Sequence, residues 1–336
     1  MSTTKLRGPV QHSTAFTSRP NALTDLLKLI RPNQWVKNVF VFPGLLFGAR
    51  RSEPDAILAA VMTFVAFCLI SSCIYAINDV LDREEDRLHP RKRNRPVASG
   101  RVSGAVALAI AVVLAAGGLT VAGMVHRSVL ITGATYIVLM IAYNVFLKHQ
   151  VILDVMTIAI GFLLRAIAGA FAVQVEISPW LLVCTFTLCL FLGFGKRQCE
   201  LAAFESKEMA GSHRATLLHY SPHLLSHLLT TSAGIAILTF LFYTLDPHTQ
   251  ERFHLFVFTT PLVFYGVFRY TMLVQGGRVS GPNEVLLADR PFLLTVIVWT
   301  IAAIVIVYAG EQVESVFRNL MGLPAMVGRA TTQPAM

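Results

Sequence analysis

Long apolar segments separated by short polar loops are the feature that most constrains how this chain can fold. In a bilayer every backbone N–H and C=O group needs a partner within the protein, and a helix of about 20 apolar residues provides this while crossing the hydrocarbon core. We predict an all-α, polytopic membrane protein with nine transmembrane helices in one bundle. The predicted spans are 26–49, 56–77, 102–125, 128–147, 151–175, 180–195, 224–245, 253–274 and 292–308.

The predicted bundle occupies residues 25–310, between a disordered cytoplasmic N-terminal tail (1–24) and a C-terminal tail (311–336) on the outer side. The span at 180–195 is short, and we expect its helix to continue into the cytoplasm. Charged residues make up only 14% of the chain and the mean hydropathy is +0.61. A soluble protein carries charge on about a quarter of its residues, so this class is excluded.

The net charge of +9 could suggest nucleic-acid binding. The basic residues instead concentrate in alternate loops, which is the positive-inside pattern of a multi-pass membrane protein. With the N-terminus inside, the basic loops are 78–102, 147–151, 194–222 and 275–291. We therefore expect a membrane partner and no nucleic acid, with every candidate chemical residue on the cytoplasmic side.

The polar stretch 77–101 begins directly after an apolar run and contains Asn78, Asp79, Asp82 and Asp86. On a helix the three carboxylates are spaced i, i+3 and i+7 and share one face. Carboxylates so close repel one another unless a cation lies between them, and oxygen ligands suit Mg²⁺. A charged, solvated loop is the alternative. The following basic residues, which could hold an anion attracted by the metal, are Arg91, Lys92, Arg93 and Arg95.

Other charges lie at membrane depth. Lys37 and Asn38 follow Trp35 in the first span, where they either anchor the helix at the interface or face the bundle interior. Arg165 lies well inside the fifth span, eleven residues after Asp154. A charge in that position is expensive and needs a partner, either a protein carboxylate or a substrate phosphate. Asp154 is expected to pair with Lys148 or to orient Arg165.

Two cytoplasmic span ends complete the candidate set of anion-binding residues. Tyr143 and Lys148 close the fourth span, and Lys196, Arg197 and Glu200 close the sixth. The simpler interpretation is a positive-inside cluster with an i, i+4 pair between Lys196 and Glu200. If the bundle closes on itself, however, the cluster at the end of the sixth span faces the Asp-rich stretch, which favours anion binding there.

The sequence resembles the UbiA superfamily of intramembrane prenyltransferases over about residues 25–310. The resemblance rests on RPNQWVKN, INDVLDREEDRLHPRKRNRP and YNVFLKHQVILDVMTIAIGFLLRAIAG. It implies a nine-helix bundle with a Mg²⁺-dependent site that opens to the cytoplasmic side of a bacterial inner membrane. The second and third stretches, with FGKRQCEL and LLADRPFLLT, are similar to a branch that moves 5-phosphoribose from phosphoribosyl diphosphate to a polyprenyl (decaprenyl) phosphate for cell-envelope arabinan precursors.

One departure from the superfamily pattern favours that branch. Members with aromatic acceptors carry a second Asp-rich motif, DxxxD, after the sixth span, whereas this chain reads GKRQCELAAFESKE there. A phosphoribosyl diphosphate and a lipid phosphate bring three separate anionic groups. One metal site with several Lys and Arg side chains suits such substrates better than two metal sites.

The resulting hypothesis assigns roles as follows. Asp79 and Asp82, aided by Asn78 and Asp86, bind Mg²⁺ on the donor diphosphate, and Lys37 and Arg165 join Asp79 and Asp82 as the catalytic set. The predicted substrate-binding residues are Lys37, Asn38, Arg95, Tyr143, Lys148, Asp154, Arg165, Lys196, Arg197 and Glu200. The alternatives are prenyl transfer to an aromatic or quinone-precursor acceptor, and, from another class, an anion transporter. Association into a homo-oligomer is left open.

Overall fold

The computed structural model describes residues 22–48, 50–89, 92–203, 215–277 and 282–321, which form helices and connecting turns without a β-strand. The α-helices are α1 (Ala22–Ile30), α2 (Pro43–Phe47), α3 (Pro54–Leu81), α4 (Arg83–Leu88), α5 (Gly104–Val125), α6 (Arg127–Val145), α7 (Leu153–Val173), α8 (Pro179–Ala202), α9 (Pro222–Leu245), α10 (Pro247–Phe253), α11 (Thr260–Gln275), α12 (Pro282–Ala288) and α13 (Arg290–Met321). Short 3₁₀ helices cover Pro32–Val41, Lys92–Asn94, Leu147–His149, Ala215–Leu218 and His254–Thr259.

Eight helical stretches in the described part of the chain are long and apolar enough to cross a membrane. They are Pro54–Leu81, Gly104–Val125, Arg127–Val145, Leu153–Val173, Pro179–Ala202, Pro222–Leu245, Pro247–Gln275 and Arg290–Val316. They coincide with eight of the predicted spans, so the prediction of an all-α polytopic membrane protein is confirmed. Nine spans and the cytoplasmic opening stay predictions. As expected, α8 continues beyond residue 195.

The predicted domain ends fall partly outside the described residues, as do Arg91 and the tail residues 1–21 and 322–336. Helix α1 begins at Ala22, and α13 continues past the predicted boundary at 310 as far as Met321. A kink separates the residues beyond that boundary from the rest of α13, because the backbone at Ala309 is not helical (φ −132°, ψ 20°).

The first predicted span is not one continuous helix. Helix α1 ends at Ile30, Arg31 adopts a left-handed backbone with φ 52°, and a 3₁₀ helix follows from Pro32 to Val41 before α2 begins at Pro43. Proline disfavours the right-handed α conformation in the residue before it, which fits the break at Arg31. Phe42 keeps a right-handed α backbone, and there the missing N–H group of Pro43 ends the hydrogen bonding of the 3₁₀ helix. The break presents Lys37 and Asn38 from a 3₁₀ turn, and the Asn38 side chain is completely buried.

The 3₁₀ segment Pro32–Val41 packs backbone to backbone against α7. A Cβ atom added to Gly169 would lie 1.7 Å from the carbonyl oxygen of Val41, a distance that no real contact reaches. Glycine at 169 is therefore what allows the segment bearing Lys37 and Asn38 to approach the helix bearing Arg165.

We expect Gly169→Ala to destabilise the protein by about 3 kcal/mol, because the new methyl group forces the segment away from α7. Gly234→Ala is the matched control, since Gly234 also lies within a long helix but has no heavy atom within 4 Å of the added Cβ. The control is expected to be neutral or stabilising by up to about 1 kcal/mol. Thermal unfolding in detergent measures both, and equal midpoints would contradict the close contact.

Several apolar clusters hold the bundle, among them two that each join several helices. The first joins α3, α5, α6 and α7 and includes Phe67, Ile70 and Tyr136. The second joins α8, α9 and α11 around Phe191, Leu229 and other side chains. Helix α3 also packs along α5, and α9 packs along α8. Helix α7 contacts α8 and so links the two groups of helices. This packing brings the ends of α3, α6 and α8 that carry charged side chains to one end of the bundle.

Candidate functional site

Asp79 is the most enclosed acid of the Asp-rich stretch. It lies in the last turn of α3 and is only 1% exposed. Its Oδ1 atom accepts hydrogen bonds from Arg31 and from Arg95 Nη1, the latter at 3.3 Å. Its Oδ2 atom is buried and has no hydrogen-bond partner. An unpaired carboxylate oxygen in the interior costs free energy and indicates a missing cationic or hydrogen-bonding ligand.

Asp82 lies at the break between α3 and α4. Asn78 Nδ2 donates to Asp82 Oδ2 at 2.8 Å and is also 2.8 Å from Asn144 Oδ1, while the ammonium group of Lys148 contacts Asp82 Oδ1. Two predicted site residues from distant parts of the chain, Asp82 and Lys148, are therefore in contact.

Asp86 is buried on α4, where its Oδ2 accepts from Arg95 Nη1 at 2.6 Å. Arg95 thus bridges Asp86 and Asp79. The prediction that the three carboxylates share one face of one helix is wrong, because α3 ends at Leu81 and a new short helix starts at Arg83. Within the described ranges no three Asp, Glu, His or Cys side chains converge as a ready metal cage.

The residues nonetheless fit a hard divalent ion of low protein coordination. Mg²⁺ typically takes one or two carboxylates and completes its shell with water and substrate phosphates. The unpartnered Oδ2 of Asp79 is one available ligand, and the partly exposed carboxylate of Asp82 is a second. Asn78 adds an amide oxygen beside them. Asp86, which is paired with Arg95, acts by holding that arginine.

Arg165 is 5% exposed and makes all of its hydrogen bonds to neutral groups. Its Nε donates to Asn38 Oδ1 at 2.8 Å, Nη1 to the Gly161 carbonyl at 2.9 Å, and Nη2 to the Tyr136 hydroxyl at 2.7 Å. The guanidinium also lies over the Tyr136 ring, 4.7 Å from its centroid. No carboxylate in the part of the chain that the structure describes pairs with Arg165.

Further cations surround the same region. Lys37 lies on the 3₁₀ turn, close enough to Arg31, Arg165 and Lys196 for their positive charges to act on its ammonium group. Lys196 is half exposed and lies 3.7 Å from Glu200. Cations from the first, fifth and sixth predicted spans therefore lie near one another, and they concentrate positive charge beside the Asp-rich stretch.

Asp154 does not pair with Lys148 or orient Arg165, so this expectation is wrong. The fully buried Asp154 accepts from Arg197 Nε at 2.8 Å and from the Tyr220 hydroxyl at 2.9 Å. Arg197 also donates to Glu200 at 2.7 Å and interacts electrostatically with Tyr143. Burial, reinforced by Asp154, raises the pKa of Tyr220, which keeps the hydroxyl protonated as a donor. Arg197 is thereby tied to two carboxylates within the protein.

We expect Asp154→Asn to destabilise the protein by about 3–5 kcal/mol, because it leaves the buried Arg197 short of a counter-charge. Arg197→Met should cost a similar amount, and the double variant Asp154→Leu/Arg197→Met should recover much of the loss. Thermal unfolding of the three variants provides the measurement. If Arg197→Met instead kept full stability and lost only activity, Arg197 would be a phosphate ligand, as the sequence predicts.

The sequence alone does not identify three residues of the site. Arg31 reads as an interfacial anchor but contacts Asp79, and Tyr136 and Asn144 support Arg165 and Asn78. A signal for the last two is present, since Tyr136, Tyr143 and Asn144 are spaced i, i+7 and i+8 on one face of α6.

Comparisons with known proteins give a consistent result. The model of the UbiA prenyltransferase family matches residues 38–286. A decaprenyl-phosphate phosphoribosyltransferase of Mycolicibacterium smegmatis is 33% identical over 294 residues, covering 83% of this chain and 91% of the relative. The enzyme of that name from Corynebacterium glutamicum is 30% identical, covering 88% and 92%. A UbiA homolog from Archaeoglobus fulgidus, solved with DMAPP and Mg²⁺, has a TM-score of 0.67 at 19% identity, covering 85% of this chain and 99% of that one.

Proposed function

The chain belongs to the UbiA prenyltransferase family, and we propose that within it the protein transfers 5-phosphoribose from phosphoribosyl diphosphate to a polyprenyl phosphate, releasing diphosphate. The observation that carries this proposal is Arg165, a buried guanidinium without an acidic partner among the described residues. Such a charge calls for an anion from the substrate. The names of the relatives at 30–33% identity identify the donor and acceptor class.

A divalent ion, Mg²⁺ by its oxygen ligands, would be held by Asp79 and Asp82 with the amide oxygen of Asn78. When bound, it supplies electrostatic stabilisation of the diphosphate leaving group. The solved Archaeoglobus fulgidus relative contains Mg²⁺, which supports a divalent metal in this fold.

The Lys and Arg side chains of the site are assigned to different phosphate groups of the two substrates. Arg95 and Lys148 contact the Asp-rich stretch, so they lie where a diphosphate would be held. Lys196 is half exposed and suits the 5-phosphate. Lys37 and Arg165 are assigned to the lipid phosphate, with Asn38 fixing the Arg165 guanidinium at 2.8 Å. Charged hydrogen bonds of this kind bind phosphate strongly and orient it.

The chemistry needs no strong base from the protein. The ribose passes through an oxocarbenium-like state as the anomeric C–O bond to diphosphate breaks, and a lipid phosphate oxygen forms the new bond from the opposite face. Because that phosphate is already an anion, general base catalysis is not required. The protein's task is to hold two negatively charged substrates together, which its cations accomplish by electrostatic preorganisation.

The site is proposed to open to the cytoplasm, because the loops that carry it are those enriched in Lys and Arg. The polyprenyl chain would enter laterally between helices, since the acceptor phosphate must reach Arg165 at the depth of α7.

A labelled-donor assay tests the proposal. Membranes containing the protein, Mg²⁺, a polyprenyl phosphate and phosphoribosyl diphosphate labelled in the ribose should transfer label to the lipid fraction. Omitting the lipid phosphate or chelating the metal should prevent transfer. Consumption of a prenyl diphosphate with an aromatic acceptor, and no labelled lipid, would instead establish the family's other reaction, for which DMAPP in the solved relative is the supporting observation.

A further inference from the structure

Each of the three aspartates in the Asp-rich stretch is paired with a cation of the protein itself. Asp79 pairs with Arg31 and Arg95, Asp86 with Arg95, and Asp82 with Lys148. The cations contact Asp79 Oδ1, Asp82 Oδ1 and Asp86 Oδ2, and a metal ion bound at the unpartnered Oδ2 of Asp79 would compete with them for the charge of the same carboxylate. The described structure therefore shows the site with its charges satisfied internally.

The cations of two of these pairs lie on the solvent side. The side chains of Arg31 and Arg95 are 20% and 25% exposed, whereas those of Asp79 and Asp86 are 1% and 3% exposed. A metal ion approaching Asp79 meets the guanidinium groups first. The doubly charged metal ion and the two guanidinium groups would repel one another unless a negatively charged ligand binds as well.

Arg31 has a second contact that would keep it in place if it left the carboxylate. Its guanidinium lies 5.1 Å from the centroid of the Tyr75 ring, one turn before Asp79 on α3. Its backbone is fixed at the left-handed joint between α1 and the 3₁₀ helix. The group can therefore turn from Asp79 toward a ligand over a short distance without moving a helix.

We propose that Arg31, Arg95 and Lys148 are internal counter-ions that leave the carboxylates for the donor's phosphate groups when a divalent metal takes their place. Resting on the proposed function, this exchange makes metal and donor binding mutually dependent. Without the donor, a metal ion has to displace the cations from the carboxylates. Without the metal, the donor has to attract cations that are already paired with carboxylates. Each ligand removes the obstacle to the other, so each strengthens the binding of the other by the same factor.

The exchange predicts that removing a counter-ion improves metal binding. Using the purified full chain in nanodiscs, titration with Mn²⁺ alone can be followed by the electron paramagnetic resonance signal of the free ion. Arg31→Gln should bind Mn²⁺ about tenfold more tightly than the wild type, because Asp79 has lost a competitor. At saturating Mn²⁺ the same variant should bind labelled phosphoribosyl diphosphate about tenfold more weakly.

Two further variants make the test decisive. Lys148→Gln frees Asp82 and should change both affinities in the same directions, which covers the case in which Arg31→Gln does not fold. Arg87→Gln removes a neighbouring cation that pairs with Glu84 and contacts none of the three carboxylates, so both affinities should be unchanged.

The outcomes separate the exchange from the transfer reaction. If Arg31→Gln and Lys148→Gln bind Mn²⁺ no better than the wild type, while wild-type membranes still transfer phosphoribose, the exchange is wrong and the transferase proposal stands. If the wild type neither binds Mn²⁺ nor transfers label, both proposals fail. Tighter metal binding together with weaker donor binding in the variants supports the exchange.

Discussion

Asp79→Asn is expected to lower phosphoribose transfer by on the order of a thousandfold, the scale on which losing a main electrostatic contact to a developing charge acts. The substitution keeps the size of the side chain and the oxygen that accepts from Arg31 and Arg95. It removes the negative charge, and it places an amide where the unpartnered Oδ2 now lies. A site that depends on a divalent cation should therefore fail, even though the fold is retained.

Asp55→Asn is the matched control for this experiment. Asp55 lies in the first turn of the same helix, at the opposite end of α3, where it pairs with the exposed Arg50. Its substitution should leave transfer unchanged. The labelled-donor assay measures activity, and thermal unfolding of the purified variants confirms that both are folded. Normal transfer by Asp79→Asn would refute the metal site, whatever the control does.

The sequence is sufficient to predict the bundle but not its interruptions. An apolar stretch of the required length has one stable form in a bilayer, and this is why the eight long helices coincide with predicted spans. The first segment contains the signals for its break, Pro32 and Pro43, but hydropathy does not register them. Proline can occur in a continuous, kinked membrane helix, so local sequence alone did not distinguish the two forms.

For the candidate site, the sequence identifies charged residues but not the partners of those residues. Asp79, Asp82, Lys148 and Arg165 could be singled out because each is a charge adjacent to or inside an apolar segment, where charge is costly. Their partners could not be predicted, because pairing depends on how helices from distant parts of the chain are rotated against one another. Asp154 illustrates this, since the register between α7 and α8 sets its partner as Arg197.

Arg165→Gln is expected to reduce transfer by about a hundredfold to a thousandfold while leaving the stability of the ligand-free protein unchanged or slightly higher. Buried charges without a counter-charge are unfavourable, so removing this one relieves a cost that the protein bears for binding. Glutamine retains an N–H donor for Asn38, which limits the number of groups left unpaired. Opposite effects on activity and stability are typical of residues kept for function.

Arg197→Gln provides the contrast, because both arginines are buried but, among the described residues, only Arg197 has acidic partners, Asp154 and Glu200. We expect Arg197→Gln to lower the unfolding midpoint strongly, since it leaves Asp154 buried without its counter-charge. The two variants are compared in the labelled-donor assay over a range of polyprenyl phosphate concentrations and by thermal unfolding. If the Arg165 guanidinium binds the acceptor, its removal should raise the KM for the lipid. A large loss of stability in Arg165→Gln with unchanged kinetics would mean that Arg165 only holds Asn38 and Tyr136 in place.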